Sequence, residues 1–114
     1  MKQSQSKISP EFIQKASQIL KSLGHPDRLK IVEYLENGEK TVGQIHRELE
    51  LIQPIVSQHL KNMYERGIVD FRQEGTRYYY SLANEFIFKI LQCMSDAQNK
   101  ILEGEWSLEL TNSQ

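Results

Sequence analysis

Cysteine is almost absent from the sequence: Cys93 is the single one among 114 residues. A lone cysteine excludes an intrachain disulfide and is typical of proteins that work in a reducing cytosol. Long hydrophobic runs are also missing, because no apolar stretch approaches the roughly 20 residues of a membrane span. No pattern of a signal peptide opens the chain. We therefore expect a cytoplasmic protein with no membrane partner.

An excess of positive charge is missing too. The chain has 14 Lys and Arg against 15 Asp and Glu, a formal net charge of −1 at pH 7. Nucleic-acid-binding proteins usually carry a strongly basic surface, so any DNA-binding face here must come from local placement of cations. Two weak patches would reinforce each other in a dimer. The length and the composition, 39% hydrophobic and 25% charged, predict one ordinary globular domain.

The most informative segment is Gln53–Met63, with the sequence QPIVSQHLKNM. At the helical period of about 100° per residue, its apolar and polar side chains separate onto opposite faces. The apolar face consists of Val56, Leu60 and Met63, and the polar face consists of Pro54, Ser57, Gln58 and Lys61. Pro54 suits the first turn of a helix, where a missing N–H is tolerated. The segment predicts a helix that buries one side and exposes the other.

A second short helix is predicted just upstream. Thr41 and Gln44 have the spacing of a capping box, and the helix that follows would bury Val42, Ile45 and Leu49. Two short helices joined by a tight turn, the second with a polar outer face, indicate a helix-turn-helix. A solvated surface helix shows such a face as well, so the periodicity alone does not decide between the two interpretations.

The hairpin that follows decides in favour of the helix-turn-helix. From Ile68 to Leu82, apolar and polar residues alternate on both sides of a turn that contains Gly75, which suits a positive φ. We expect two half-buried strands. A helix-turn-helix followed directly by a two-stranded wing is a winged helix, so the predicted fold class is mostly α with a small β-hairpin.

Two further helices precede this unit. Ser9 and Pro10 are suited to open the first one and Gly24 to end it, and Pro26 opens the second, which Asn37 and Gly38 close. The first helix is predicted to bury Phe12, Ile13, Ala16, Ile19, Leu20 and Leu23. The second is predicted to bury Leu29, Val32 and Leu35.

The last predicted helix covers residues 85–103 and carries a seam of apolar residues at spacings of three and four. These residues are Ile87, Ile90, Met94, Ala97 and Ile101. Such a seam is typical of helices that pair with a copy of themselves, although packing within its own domain explains it too. The predicted organisation is one domain, residues 9–106, with a recognition helix at 53–65, a wing at 68–82, and flexible tails at 1–8 and 107–114.

Four segments in this order carry a family resemblance: LKSLGHPDRLKIVEYL, TVGQIHREL, QPIVSQHLKNMYERGIV and EGTRYYYSL. Together they resemble the ArsR/SmtB family of small dimeric bacterial repressors, from about Leu20 to Leu82. The resemblance implies a homodimeric, sequence-specific transcriptional regulator, most of all a repressor, that binds an inverted-repeat operator in the major groove. The chain departs from the family at Ile52, where many relatives carry a serine able to cap the recognition helix.

The family's two best-known metal sites are not matched. Relatives that sense soft metals carry a cysteine pair where this sequence has Thr41 and Gly43. The zinc positions of the long last helix are occupied here by Asn84, Phe86, Ala97 and Lys100. The aromatic, methyl and ammonium groups among these cannot replace imidazole as a ligand. His25, His46 and His59 lie on separate elements without metal-type spacing. We expect no metal and no cofactor, and the inducer is unknown.

The predicted DNA-binding residues lie on the recognition helix and the wing: Gln53, Ser57, Gln58, His59, Lys61, Arg72, Thr76 and Arg77. Glutamine can pair with an adenine edge, lysine with guanine or phosphate, and the wing arginines with phosphates or the minor groove. His59 lies about 60° from the apolar stripe. A half-buried histidine that bonds backbone or phosphate therefore explains it as well as base reading does.

The predicted dimer interface combines the first and last helices: Phe12, Ile13, Ala16, Leu20, Ile87, Ile90, Met94, Ala97 and Ile101. Cys93, on the shoulder of the seam, is interpreted as a small packing residue, because little nearby would activate its thiol. A thiol- or redox-responsive repressor that acts through Cys93 is one alternative function. A winged helix that binds protein through its tyrosines is another. No nucleophile elbow or phosphate loop is present, so we expect a protein that is not an enzyme.

Overall fold

The structure, a computed structural model, describes residues 7–109. These residues form five helices and three short strands, which make up two compact units divided after residue 84. In chain order the elements are α1 (Pro10–Leu23), α2 (Pro26–Leu35), β1 (Lys40–Thr41), α3 (Val42–Leu49), α4 (Gln53–Glu65), β2 (Val69–Glu74), β3 (Arg77–Leu82) and α5 (Glu85–Leu102). The predicted flexible tails, residues 1–8 and 107–114, lie largely outside the described residues.

Helix α1 begins as the sequence predicts. The backbone N–H of Phe12 donates a 3.1 Å hydrogen bond to the Ser9 side chain, and Pro10 occupies the first turn. Ile19 and Leu23 are buried, but Phe12, Ile13 and Leu20 are 47%, 50% and 54% exposed. The prediction that α1 buries these last three side chains is therefore wrong for the single chain. Their apolar surface lies on a flank of the helix that the first unit does not cover.

Helices α2 and α3 form where their capping residues predict. The His25 ring caps α2 by accepting from the Asp27 N–H, and α2 buries Val32, Leu35 and, beyond the prediction, Ile31. Helix α3 opens with the predicted capping box, in which the Thr41 and Gln44 side chains and backbones are bonded reciprocally. It ends at Glu50, whose left-handed conformation, φ 56°, turns the chain toward α4.

Helix α4 supplies the centre of the core of the first unit. Its stripe of Val56, Leu60 and Met63 is fully buried, which confirms the predicted inner face. Around it pack apolar side chains from α1, α2, α3 and the start of the wing. The fully buried ones among them are Ile31, Val32, Leu35, Ile45, Ile68 and Val69. Helix α4 is thus fixed by burial along one side only.

The wing is a hairpin with a tight turn. Strands β2 and β3 pair antiparallel from Val69–Leu82 to Glu74–Arg77, so only Gly75 and Thr76 lie between the last paired residues. Gly75 has a φ of 63°, the conformation for which a glycine was expected. The expectation of half-buried strands holds for most of β3 but is wrong for β2, in which Val69 is buried and the other five residues are exposed.

A third strand completes the sheet in the order β1-β3-β2. Strand β1 pairs antiparallel with β3 through Lys40–Tyr80 and Thr41–Tyr79. The sequence predicted a two-stranded hairpin because a strand of two residues has no readable alternation. Strand β1 thereby joins the wing to Thr41, the residue that caps α3.

Helix α5 ends at Leu102, one residue before the predicted end. Ile87 of the predicted seam is buried, as is Leu91 beside it. Farther along the seam, Met94 is 44% exposed. No helix among residues 7–109 has both the length and the apolar character needed to cross a membrane.

The residue immediately before α4 allows a test of how much N-terminal capping of this helix contributes to stability. Ile52 occupies the N-cap position with extended φ and ψ of −71° and 145° but makes no side-chain cap bond. It is also 66% exposed. A serine there would accept a hydrogen bond from a first-turn N–H. We expect Ile52→Ser to raise the free energy of unfolding by about 1 kcal/mol, measured by urea denaturation at fixed protein concentration.

Ile52→Ala is the matched control, since it removes the same exposed apolar side chain without supplying a cap. Equal stabilities of the serine and alanine variants would show that capping is not limiting at this position.

Candidate nucleic-acid interface

The exposed side of α4 presents the polar residues that the sequence predicts. Gln53, Ser57, Gln58 and Lys61 are exposed, and their side chains make no hydrogen bond with other residues in the range 7–109. The opposite face of the helix is packed in the core, so the donors and acceptors on the exposed face are accessible to a binding partner. A helix presented in this way is able to enter the major groove of DNA.

An open groove of about 560 Å³ lies beside the start of α4. It brings together Gln53 of α4 and Thr76 and Arg77 of the wing, three of the predicted DNA-binding residues. Thr41, the N-cap of α3, and Gly43, Gln44 and Arg47 within α3 complete it. The start of α4, helix α3 and the wing thus line one groove.

Arg47 is a member of this surface that the sequence analysis missed. It follows Gly43 by four residues, one helical turn, and a Cβ added to Gly43 would approach its Nη1 to 3.2 Å. The missing side chain of Gly43 makes room for the guanidinium. The glycine-to-arginine spacing is the signal that would have found it. Within residues 7–109, neither Arg47 nor Arg77 forms an ion pair.

Arg72 has a different environment from Arg77. Its Nη2 lies 2.6 Å from Oε1 of Glu39, its Nε donates to both carboxylate oxygens at 3.0 Å, and its guanidinium lies 4.5 Å from the centre of the Tyr79 ring. The hydrogen bond lowers the pKa of Glu39 and raises that of Arg72. Arg72 does not line the groove. The structure therefore separates the two predicted wing arginines, and Arg72 already has a carboxylate partner.

His59 lies on the buried side of α4 and is 8% exposed. Its Nδ1 accepts a 3.0 Å hydrogen bond from Nε of Arg28, and its ring lies 4.5 Å from that of His25. Of the two interpretations of His59, the structure matches the buried histidine, with the side chain of Arg28 as its partner. Burial, followed by the charges of His25 and Arg28, lowers the pKa of His59, and Asp27 opposes the shift.

The fold brings together two histidines that the sequence places on separate elements. Ligand atoms of His25, Asp27 and His59 all lie within 4.8 Å of one another, which sequence spacing did not indicate. However, Nδ1 of each ring accepts a hydrogen bond, from Asp27 N–H in one case and Arg28 Nε–H in the other. The proton of each neutral ring is therefore on Nε2. Metal binding at either Nε2 would require the loss of one of these bonds, so the cluster is a hydrogen-bonded junction between α2 and α4.

The wing aromatics pack on one another and on α4. The Phe71 ring lies 5.0 Å from the ring of Tyr64 in α4 and 5.5 Å from those of Tyr78 and Tyr80. These contacts hold the wing beside α4. They give the tyrosines a structural role that does not require a protein partner.

The candidate dimer residues are found on each unit separately. On α1, Phe12, Ile13 and Leu20 are exposed and Ala16 is half-buried. On α5, Met94 is exposed, and the half-buried seam residues are Ile90, Ala97 and Ile101. Cys93 is an exposed free thiol. Since the chain has a single cysteine, any disulfide would have to involve a thiol from another molecule.

Helices α3 and α4, the hairpin after them and the strand that joins it define a winged helix-turn-helix domain. Residues 25–70 match the family model described as "Bacterial regulatory protein, arsR family". The chain is 37% identical over 76 residues to the biofilm growth-associated repressor of Agrobacterium fabrum, which covers 67% of this chain and 65% of that protein. It is 34% identical over 76 residues to the arsenical resistance operon repressor of Staphylococcus xylosus, which covers 67% of this chain and 73% of that protein.

Among solved structures, the homodimeric winged helix-turn-helix DNA-binding domain from Mycobacterium bovis is similar with a TM-score of 0.77 and 26% identity. The similarity covers 92% of this chain and 97% of that one. The chain belongs to the ArsR family of bacterial regulatory proteins, and the resemblance found in the sequence is confirmed. The relatives from Agrobacterium fabrum and Staphylococcus xylosus are both named as repressors.

The junction at His59 predicts a pH dependence of stability. The pKa of His59 in the folded chain lies below its ordinary value of 6.5, so the unfolded chain takes up the proton first. The stability linked to the neutral ring is complete above about pH 6.5 and is lost as the pH falls through the folded pKa. We expect His59→Gln, whose amide oxygen can still accept from Arg28, to lose less stability than the parent between pH 7.5 and pH 5.5.

The measurement is urea unfolding at several pH values in one buffer system. Gln58→Ala, which alters the neighbouring residue but retains the histidine, should keep the parent's pH dependence. If His59→Gln also keeps it in full, the pH dependence originates elsewhere in the chain.

Proposed function

We propose that the protein is a homodimeric repressor that binds an inverted-repeat operator with α4 in the major groove. The observation that carries the proposal is the exposed polar face of α4, whose first residue, Gln53, lines a groove with Arg47 and Arg77. Neither arginine forms an ion pair with another residue in the range 7–109. Its relatives in Agrobacterium and Staphylococcus are named as repressors. Such a regulator acts in the cytoplasm and has no catalytic role.

The residues divide into those that read bases and those that hold the backbone. Gln58 is able to pair with an adenine edge in two places, and Lys61 and Ser57 lie beside it on the exposed face. Gln53 adds a contact at the helix entrance. The groove cations Arg47 and Arg77, with Thr76, meet phosphates or the minor groove. His59 and Arg72 contribute indirectly, without contacting DNA. His59 joins α4 to α2 through its hydrogen bond with Arg28, and Arg72 joins the wing to Glu39.

A homodimer explains how a chain with a net charge of −1 binds DNA. Two copies related by a twofold axis place two α4 helices on successive half-sites, so that two modest cationic surfaces act on one operator. The exposed apolar flank of α1 and the partly exposed seam of α5 are the proposed interface. The homodimeric domain from Mycobacterium bovis supports this arrangement.

Base reading and backbone binding have different signatures in operator titrations. We expect Gln58→Ala to cost about 1–3 kcal/mol on the operator and little on random DNA, because the lost contact is specific to a base. Arg77→Ala should weaken binding to all sequences alike and flatten the plot of log affinity against log salt by about 0.9 per site. Fluorescence anisotropy at several salt concentrations measures both quantities.

Lys30→Ala removes an exposed cation from α2, outside the proposed interface, and serves as the control for loss of charge. Variants of Gln58 and Arg77 that bind both DNAs as the parent does would exclude this surface as the reading face.

The dimer interface has a test that needs no DNA. Leu20→Glu places a carboxylate in the exposed apolar flank of α1, where burial in an interface would strongly disfavour the charge. We expect this variant to sediment as a monomer at micromolar concentration. Gln14→Glu introduces the same charge on an exposed polar position of the same helix and should sediment as the parent does. A dimeric Leu20→Glu variant would move the interface away from α1.

A further inference from the structure

A second polar concavity, of about 570 Å³, lies where the end of α1, the first turn of α2 and the end of α4 meet. Three cations converge on it, namely Lys21 from α1, Arg28 from α2 and Arg66 directly after α4. The one carboxylate that lines it belongs to Glu65. Its side chains therefore carry a local charge of +2 in a chain whose net charge is −1.

None of these three cations forms an ion pair with a carboxylate of residues 7–109, whereas Arg72 and Lys100 do. Arg28 uses Nε on His59 and Nη1 on Ser22, which leaves Nη2 without a bond in the described part of the chain. Arg66 uses Nη1 on the carbonyl of Asn62. Several N–H donors thus remain for a ligand inside the pocket.

The floor of the pocket is fixed by buried polar contacts. Ser22 is 3% exposed and donates a 2.7 Å hydrogen bond to Oδ1 of Asn62. Its backbone carbonyl accepts from Nη1 of Arg28 at 3.2 Å. These bonds join all three helices and hold Arg28 in place before any ligand arrives. A preorganised guanidinium loses little freedom on binding an anion.

We propose that this pocket binds a dianionic oxyanion of the phosphate type, as inorganic phosphate or as a phosphate monoester. The local charge of +2 matches a dianion, and charge-assisted bonds from guanidinium and ammonium groups are the strongest available to phosphate oxygens. The volume lies within the range of small-ligand sites. The surface is separate from the groove beside α4, because none of the residues that line one also lines the other.

The pocket stays accessible in the proposed dimer and lies next to the reading face. On α1, Gln18 and Ser22 are about 160° around the helix from Leu20, so an interface on the apolar flank leaves them uncovered. On α4, Asn62 follows Gln58 by one turn. A bound oxyanion therefore contacts the same ridge of α4 that carries Gln58. Its source is either a free phosphate compound or a backbone phosphate of bound DNA.

The direct test is titration of the 15N-labelled full chain with inorganic phosphate, without DNA and with ionic strength held constant by chloride. We expect saturable amide shifts confined to residues 18–22, 28 and 62–66. Lys21→Gln and Arg66→Gln should each weaken binding at least about fivefold, and Glu65→Gln should tighten it. Lys30→Gln and Glu33→Gln make the same charge changes on exposed positions of α2 and should leave the affinity within about twofold.

Absence of saturable shifts up to about 50 mM phosphate, or equal effects of the pocket and control variants, would overturn the proposal. Because no DNA is present, the result does not depend on the proposed repressor function. A second experiment, in which operator binding of Lys21→Gln is measured, identifies whether the phosphate group comes from DNA or from a free compound. If the ligand is a DNA phosphate, Lys21→Gln weakens operator binding. If it is a free compound, that variant binds operator as the parent does, although its affinity for phosphate is lowered.

Discussion

Helix α4 has to be buried on one side and bare on the other, and the rest of the first unit depends on this constraint. Val56, Leu60 and Met63 remove its inner face from water completely. At about 1.5–3 kcal/mol for each fully buried side chain, this stripe is a large share of the stability of so small a domain. Burial of a stripe on one side also sets which face of the helix points inward. The hydrogen bond from Arg28 to His59 adds a directional contact between α2 and α4.

Much of the fold was predictable because capping and turn residues in the sequence mark where several helices and the hairpin turn begin or end. Ser9, Thr41 and Gly75 act through local chemistry that a few neighbouring residues determine. The features that were missed depend on partners distant in sequence. Strand β1 exists only because β3 returns to it, and Arg28 and His59 are 31 residues apart. The burial of α1 was overpredicted because a helical pattern shows which side is apolar but not whether the same chain covers it.

The candidate site divides in the same way. Gln53, Ser57, Gln58 and Lys61 were predictable because helical periodicity alone selects the exposed face. The two wing arginines looked equivalent in sequence, yet Glu39 pairs with Arg72 and leaves Arg77 free of an ion pair in the described chain. Local pairing of this kind explains how a weakly acidic protein keeps cationic surfaces. Glu39 pairs with Arg72, where the cation serves structure, whereas no carboxylate of residues 7–109 pairs with Arg47 or Arg77.

The wing has the geometry of a lever. It is anchored where Val69 is buried and where the Phe71 ring meets Tyr64 of α4, while Gly75 and Thr76 at the turn are exposed. Six residues of strand extend about 20 Å from one end to the other. A tilt of about 5° at the anchored end moves the tip by roughly 1.5–2 Å over that length, which is enough to make or break a hydrogen bond. Small displacements around Val69 would therefore be amplified at Arg77, far from the place where they begin.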